Sequence, residues 1–255
     1  LEAADLVDWE TKPTVALDHP SADEWTWFPD GTLNASVNAL DRHVAAGHGD
    51  RTAVIYDSAM TGSQRSLTYA ELLERVAKFA GVLRDRGVTA GDRVLVYLPM
   101  IPEAVAAMLA VARIGAIHSV IFGGFSADSL RSRIDDAGAK VVITSDGGYR
   151  KGRVSPLKPA VDQALADRGA GPQATVEHVL VVKRTGQDLP EGSWAEGRDV
   201  WWHEAIAEQP ATHEAEAFEA EHPLFILYTS GTTGKPKGIL HTSGGYLTQA
   251  AYTHH

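Results

Sequence analysis

Cysteine is absent from the 255 residues. That excludes a disulfide framework and a thiolate zinc site, and it fits a cytoplasmic protein. Long apolar runs are absent too. The most apolar segment, AVAAMLAVA at 104–112, lies between Glu103 and Arg113, far short of the roughly 20 residues a membrane helix needs. Positive charge is in deficit: 23 Lys and Arg stand against 33 Asp and Glu, a net charge of −10. That balance argues against a nucleic-acid binder, which needs a basic footprint. An acidic chain that binds an anion must gather its cations locally, so small basic clusters are the informative ones. The acidic N-terminus, LEAADLVDWE, has no basic segment ahead of an apolar core and is not a signal peptide. It begins with Leu1, which points to an upstream stretch. With 44% hydrophobic and 22% charged residues, the chain suits one large domain or two smaller ones.

Residues 1–33 are irregular and carry Trp9, Trp25 and Trp27. They read as a wrapping arm ahead of a domain at 34–255. A helical pattern covers 34–46, RTAVIYD at 51–57 reads as a strand, and SAMTGSQRS at 58–66 reads as a loop. Thr68 and Glu71 have capping-box spacing, and Leu72, Leu73, Val76, Phe79, Ala80 and Leu83 share one helical face before Gly87. A buried-type strand at 92–99 precedes a helix opened by Pro102 and closed near Gly115. A strand at 116–122 then leads to a helix capped by Ser126 and ended by Gly138. KVVITSD at 140–146 is a strand, 156–169 is mostly helix, and VEHVLVVKR at 176–184 is a strand again. Residues 184–222 read as a long surface connection with one helical piece, WWHEAIAEQ.

Strand and helix therefore alternate four times. The fold class expected is α/β, a mostly parallel sheet flanked by helices. Ligands of such sheets bind beyond the carboxyl ends of the strands. Three Gly-rich or basic turns fall at such ends: FGGFS, SDGGYRKGR and TSGTTGKPKG.

The last turn is the most informative. LFILYT stops at a run of small hydroxyls and glycines, followed by Lys235, Pro236 and Lys237. Gly231 and Gly234 permit positive φ and let amide groups approach a ligand. Thr229, Ser230, Thr232 and Thr233 add hydroxyls, and Lys235 and Lys237 add charge. Amides, hydroxyls and ammonium groups in one nest suit an oligophosphate. A polar surface hairpin would look similar in its first three residues, but not over the full string. The usual P-loop is excluded, because two residues separate the glycines and a proline follows Lys235.

YTSGTTGKPKG, unbroken over 228–238, resembles the signature loop of the AMP-forming adenylate-forming enzymes, which include acyl-CoA synthetases, peptide-synthetase adenylation domains and luciferases. DGTLNASVNALDRHV, YLPMIPEAVAAMLAVARIGAIHSVIFGGFSADSLRSRI, VEHVLVVKRTG and KGILHTSGGYL look like the acetate-activating branch of that family, over nearly all of 25–250. The resemblance implies that a carboxylate attacks the α-phosphate of ATP, and that the CoA thiol then displaces AMP. It implies that Thr229, Ser230, Gly231, Thr232, Thr233, Gly234, Lys235 and Lys237 hold the ATP phosphates, with Mg²⁺ assisting. An Arg-x-Gly-Arg string grips CoA in that branch. RKGR supplies Arg150, Lys151, Gly152 and Arg153, and Phe122, Gly123 and Gly124 line the same region. A solvated surface turn is the plain alternative for RKGR.

No residue in the segment is expected to be a metal ligand or to carry the chemistry. The family's adenine, ribose, Mg²⁺ and carboxylate sites, and its C-terminal domain, have no counterpart in the sequence. The expectation is a truncated ligase that alone completes neither half-reaction. Its substrates would be acetate, ATP and CoA, with no nucleic acid or membrane partner. TAVIYDSAMTG looks more like the propionate-activating branch, which is the nearest alternative. A non-catalytic nucleotide- or CoA-binding module is the alternative of another class, and luciferase-type oxidation a weaker one. His43, His48, Asp135, Asp136 and His241 suggest no site, and Trp201 and Trp202 suggest packing.

Overall fold

The structure, a computed structural model, describes residues 1–166, 175–230, 234 and 236–254. Its centre is a seven-stranded sheet. In chain order the strands are β1 (Arg93–Val96), β2 (Ile117–Val120), β3 (Val141–Ser145), β4 (His178–Val182), β5 (Asp199–Trp201), β6 (Pro223–Thr229) and β7 (Lys237–Thr242). Their spatial order is β5-β4-β3-β1-β2-β6-β7. Every neighbouring pair is parallel except β6 with β7. The expected fold class is what the chain adopts.

Among the described residues six α-helices accompany the sheet: α1 (Tyr69–Asp85), α2 (Pro102–Arg113), α3 (Ala127–Ala137), α4 (Lys158–Leu165), α5 (Trp202–Ala207) and α6 (Ser243–His254). The period-two alternation of the strands sorts the core into two layers. Val94, Val96, Val141, Ile143 and Leu180 pack with α1, α2 and α5. Leu95, Tyr97, Val142, Val179 and Val181 pack with α3 and α4. Each such side chain contributes about 1.5–3 kcal/mol on burial. The capping box at the start of α1 is complete: Glu71 N–H donates to Thr68 Oγ1, and Thr68 N–H donates to the Glu71 carboxylate. Trp202 is buried and stacks on Phe79 with ring centroids 3.7 Å apart, the packing role anticipated for it. Among the described residues no helix is long and apolar enough to cross a membrane.

Three local expectations are corrected. The stretch at 58–66 is not simply a loop, because Ser63–Thr68 pairs antiparallel with Thr52–Ser58. Only Tyr56 and Leu67 of that hairpin are buried, so its polar outer face masks the strand. The helix at 34–46 is wound in wide π-type turns over Val37–Asp41 and Val44–His48. The long connection at 184–222 contributes β5, a three-residue strand too short to show a period. One further element was not anticipated: Lys237–Thr242 is an edge strand whose first four residues are exposed, so it lacks the apolar signal of the central strands.

The arm at the N-terminus holds a short 3₁₀ turn, Glu2–Leu6, and a hairpin of Leu17–Ser21 with Glu24–Trp27. Ala4, Val7, Phe28 and Leu33 form a small core with Ala220, against which Leu247 and Ala251 of α6 pack. The helix anticipated at 156–169 is observed over Lys158–Leu165, and residues 167–169 lie outside the described residues.

Candidate functional site

Because β1, β2, β3, β4 and β6 run parallel, the turns that follow them gather at one edge of the sheet. Asp146, directly after β3, organises that edge. Its buried carboxylate accepts from the N–H groups of Gly147 (2.7 Å), Arg184 (2.8 Å), Thr185 (3.0 Å) and Gly186 (2.7 Å). One side chain thus joins the chain leaving β3 to the chain leaving β4. Asn in its place would turn an amide N–H₂ toward backbone donors. Asp146→Asn is therefore expected to lose about 2 kcal/mol in a urea unfolding experiment. An unchanged midpoint would show that the nest needs no second acceptor oxygen.

Past Asp146 the backbone forms a hairpin, Gly147–Arg150 paired with Arg153–Pro156. Its two-residue turn is Lys151–Gly152, with φ of 49° and 75°, the positive pair that type I′ hairpins require. The RKGR string therefore sits on a defined turn, with all four residues exposed. The Arg150 guanidinium lies 6.0 Å from the centre of the Phe122 ring. A Cβ on Gly124 would come within 2.7 Å of Arg150 Nη1 and 2.6 Å of Phe122 Cε1, so a side chain there would push these two groups from their present positions. The structure thus brings Phe122 and Gly124 close to Arg150, with Gly123 between them in the chain.

Arg184 was not singled out from the sequence. Its guanidinium donates to Tyr56 Oη (2.5 Å) and Ser58 Oγ (3.3 Å) and lies over the rings of Tyr56 and Tyr149. It braces the RKGR hairpin against the hairpin at 52–68. The only sequence signal was a basic residue placed directly after a buried strand.

The hydroxyl-rich loop joins β6 to the antiparallel β7, with Tyr228 opposite Gly238 and Thr229 opposite Lys237. Thr229, Ser230, Gly234 and Lys237 are exposed, and Gly234 has φ of 78°. Gly231, Thr232, Thr233 and Lys235 lie outside the described residues. Tyr228 is half-buried at the base of the loop and donates to Asp136 Oδ2 at 2.7 Å. Burial, and then the Asp136 carboxylate, push its phenol well above the usual tyrosine range. Asp136 is solvent-facing, as expected, yet it also serves as this anchor.

The remaining candidates have packing explanations. His43 lies against Tyr69, His241 stacks on Phe225 at 4.5 Å, and Trp201 stacks on Trp194 at 4.7 Å. Among the described residues no three His, Asp or Glu side chains cluster as a metal site.

A mostly parallel sheet with an arginine hairpin and a hydroxyl-rich loop at the carboxyl ends of its strands defines an α/β protein with cationic and hydroxyl groups gathered at one edge. The chain belongs to the AMP-binding enzyme family, whose profile matches residues 41–255. More narrowly, residues 1–39 match the acetyl-coenzyme A synthetase N-terminus. Proteins named acetyl-coenzyme A synthetase are similar along the whole chain. That of Streptomyces avermitilis is 63% identical over 254 residues, covering 100% of this chain. That of Streptomyces coelicolor is 59% identical over 99% of the chain, and one from Mycobacterium tuberculosis 56% identical over 98%. The chain spans 38% of the length of each of these relatives.

Proposed function

We propose that the chain supplies the ATP-phosphate loop and the CoA-anion patch of an AMP-forming acetate–CoA ligase. The observation that carries this reading is the unbroken 228–238 loop at the end of β6, at the same sheet edge as the RKGR hairpin and its FGGF partner.

In the proposed reaction a carboxylate oxygen of acetate attacks the α-phosphorus of ATP, and the bond to the bridging oxygen breaks. Pyrophosphate leaves and acetyl-adenylate forms. Thr229, Ser230, Gly234 and Lys237, with Gly231, Thr232, Thr233 and Lys235, hold the β- and γ-phosphates as negative charge builds on the leaving group. The CoA thiolate then attacks the acyl carbon, AMP leaves, and acetyl-CoA results. Arg150, Lys151 and Arg153 pair with the phosphates of the coenzyme's nucleotide, and Phe122, Gly123 and Gly124 form the adjoining wall. Mg²⁺ accompanies ATP in this reading. The described residues contain no ligand cluster for it, so no step is assigned to it.

The arm at 1–33 and the partial domain at 34–255 are read as binding parts only. The groups that perform the chemistry belong to the remaining length seen in the relatives, so the 255 residues alone are expected to catalyse neither half-reaction. A cytoplasmic setting fits the absence of cysteine.

The test is carboxylate-dependent ATP–pyrophosphate exchange by the complete gene product, offered acetate, propionate, butyrate or no acid. Acetate is expected to be fastest. Propionate fastest would reassign the substrate, and no exchange with any acid would overturn the ligase reading. Arg150→Ala/Arg153→Ala is expected to raise KM for CoA by about 10- to 100-fold while leaving the exchange rate intact. An unchanged KM for CoA would remove the hairpin from the coenzyme site.

A further inference from the structure

Helix α3 stands between the two anion-binding turns, and one buried cation on it touches the base of both. Arg133 is only 8% exposed. Its guanidinium lies 4.8 Å from the centre of the Phe125 ring and 5.2 Å from that of Tyr228, and its Nη1 donates to Ser129 O at 2.8 Å. Phe125 closes the turn that starts at Phe122: its N–H donates to Phe122 O at 3.0 Å, and the two rings meet edge to face. Tyr97 Oη holds the same turn by donating to Phe125 O at 2.8 Å. On the other side, Tyr228 is the last residue before Thr229, and its phenol is held by Asp136, nearly one helical turn beyond Arg133.

Packing alone gives a poor account of Arg133. It falls on the face of α3 that buries Leu130 and Ile134, where an apolar side chain would fill the space without desolvating a charge. A guanidinium is worth its desolvation where it can lie over aromatic faces, and it then holds those rings in a set relation. Phe125 belongs to the turn that meets Arg150, and Tyr228 to the strand that carries the phosphate loop.

We propose that Arg133 and Asp136 are positioning residues. Together they hold the Tyr228 end of the phosphate loop at one fixed geometry relative to the 122–125 turn, so that α3 mechanically ties the nucleotide site to the coenzyme site. This rests on the ligase reading above.

The test uses the complete gene product with Arg133→Met, Arg133→Lys and Tyr228→Phe. Arg133→Met is expected to raise KM for ATP and KM for CoA together, each about tenfold, with kcat within about threefold. Arg133→Lys restores most of both, because a cation again lies over the rings. Tyr228→Phe keeps the ring and loses the Asp136 bond. It is expected to raise KM for ATP about three- to fivefold and to leave KM for CoA unchanged. Unchanged KM values in Arg133→Met, or a loss of Tm and kcat that Lys does not rescue, would reduce Arg133 to a structural residue.

Amide hydrogen exchange gives a readout that does not need activity. In Arg133→Met the amides of Phe125 and Tyr228 are expected to exchange about tenfold faster, with those of β3 unchanged. If exchange at these two amides matches wild type, the tie is absent whatever the kinetics show. Wild-type protein that activates no carboxylate would overturn the ligase reading alone, and the amide result would still decide the role of Arg133.

Discussion

Lys158→Met is expected to lower the free energy of unfolding by about 3 kcal/mol, because it leaves a buried carboxylate short of its cation. The side chains of Lys158 and Asp199 are both 0% exposed, and Nζ lies 2.8 Å from Asp199 Oδ2. The same ammonium donates to Asp162 Oδ1 at 2.6 Å and to Ser193 O at 2.5 Å. Asp199 also accepts from Ala195 N–H at 2.9 Å and from Arg198 Nε at 2.6 Å. Burial pushes the Asp199 carboxyl up, but the Arg198 bond, the Ala195 N–H and Lys158 together hold it below the usual carboxylate range. Its stabilising contribution is therefore present above the unfolded pKa of 3.8 and is lost as pH falls through the lower folded value. Lys158 stands in the first turn of α4, where the helix dipole disfavours a cation. The carboxylates around it and the Ser193 carbonyl offset that cost. A urea titration of Lys158→Met, Asp199→Asn and the double variant measures the coupling. The double variant is expected to lose at least about 1 kcal/mol less than the sum of the singles. Strict additivity would show that the pair does not act as a unit.

The second large effect is on pH. His118 lies in the middle of the sheet, on β2, with its ring 5.5 Å from that of Phe225 and its Nδ1 buried without a hydrogen-bond partner among the described residues. Burial lowers its pKa from 6.5 to about 4. Between those values the unfolded chain binds a proton that the folded chain refuses, so stability rises with pH. The neutral imidazole leaves folding unpenalised above pH 6.5. As pH falls from there toward 4, the His118 contribution alone should lower stability by on the order of 3 kcal/mol and then level off. His43 and His178 are shifted in the same direction, chiefly by burial, so the wild-type curve alone does not isolate His118. His118→Leu does: its stability should be much flatter between pH 6.5 and 4. Parallel curves for the two proteins would assign the dependence to the other histidines.

Much of the architecture was legible without coordinates, for identifiable reasons. The strands at Arg93–Val96, Val141–Ser145 and His178–Val182 are buried on both faces and read as near-continuous apolar runs. Thr68 with Glu71, Ser126 and Gly138 are local signals that operate within one turn of backbone. The elements that were missed are polar or short: Ser63–Thr68, the edge strand Lys237–Thr242 and the three-residue Asp199–Trp201. Their polar faces or short length leave no period to read.

The same division holds for the site. By its residues alone the chain determined that a sheet of parallel strands would form, that hydroxyls, glycines and lysines would follow one strand, and that RKGR would follow another. Each of these depends on neighbours in the chain. Tertiary structure alone decided that Arg150 meets Phe122, that Asp146 gathers backbone donors from two strand ends, that Lys158 finds Asp199, and that Arg133 lies between Phe125 and Tyr228. Those partners are far apart in the chain, apart from the shorter Arg133–Phe125 separation. A polar or charged side chain carries no mark of its distant partner, so only the folding of the sheet, which sets strand order and brings the strand ends to one edge, could reveal the pairings.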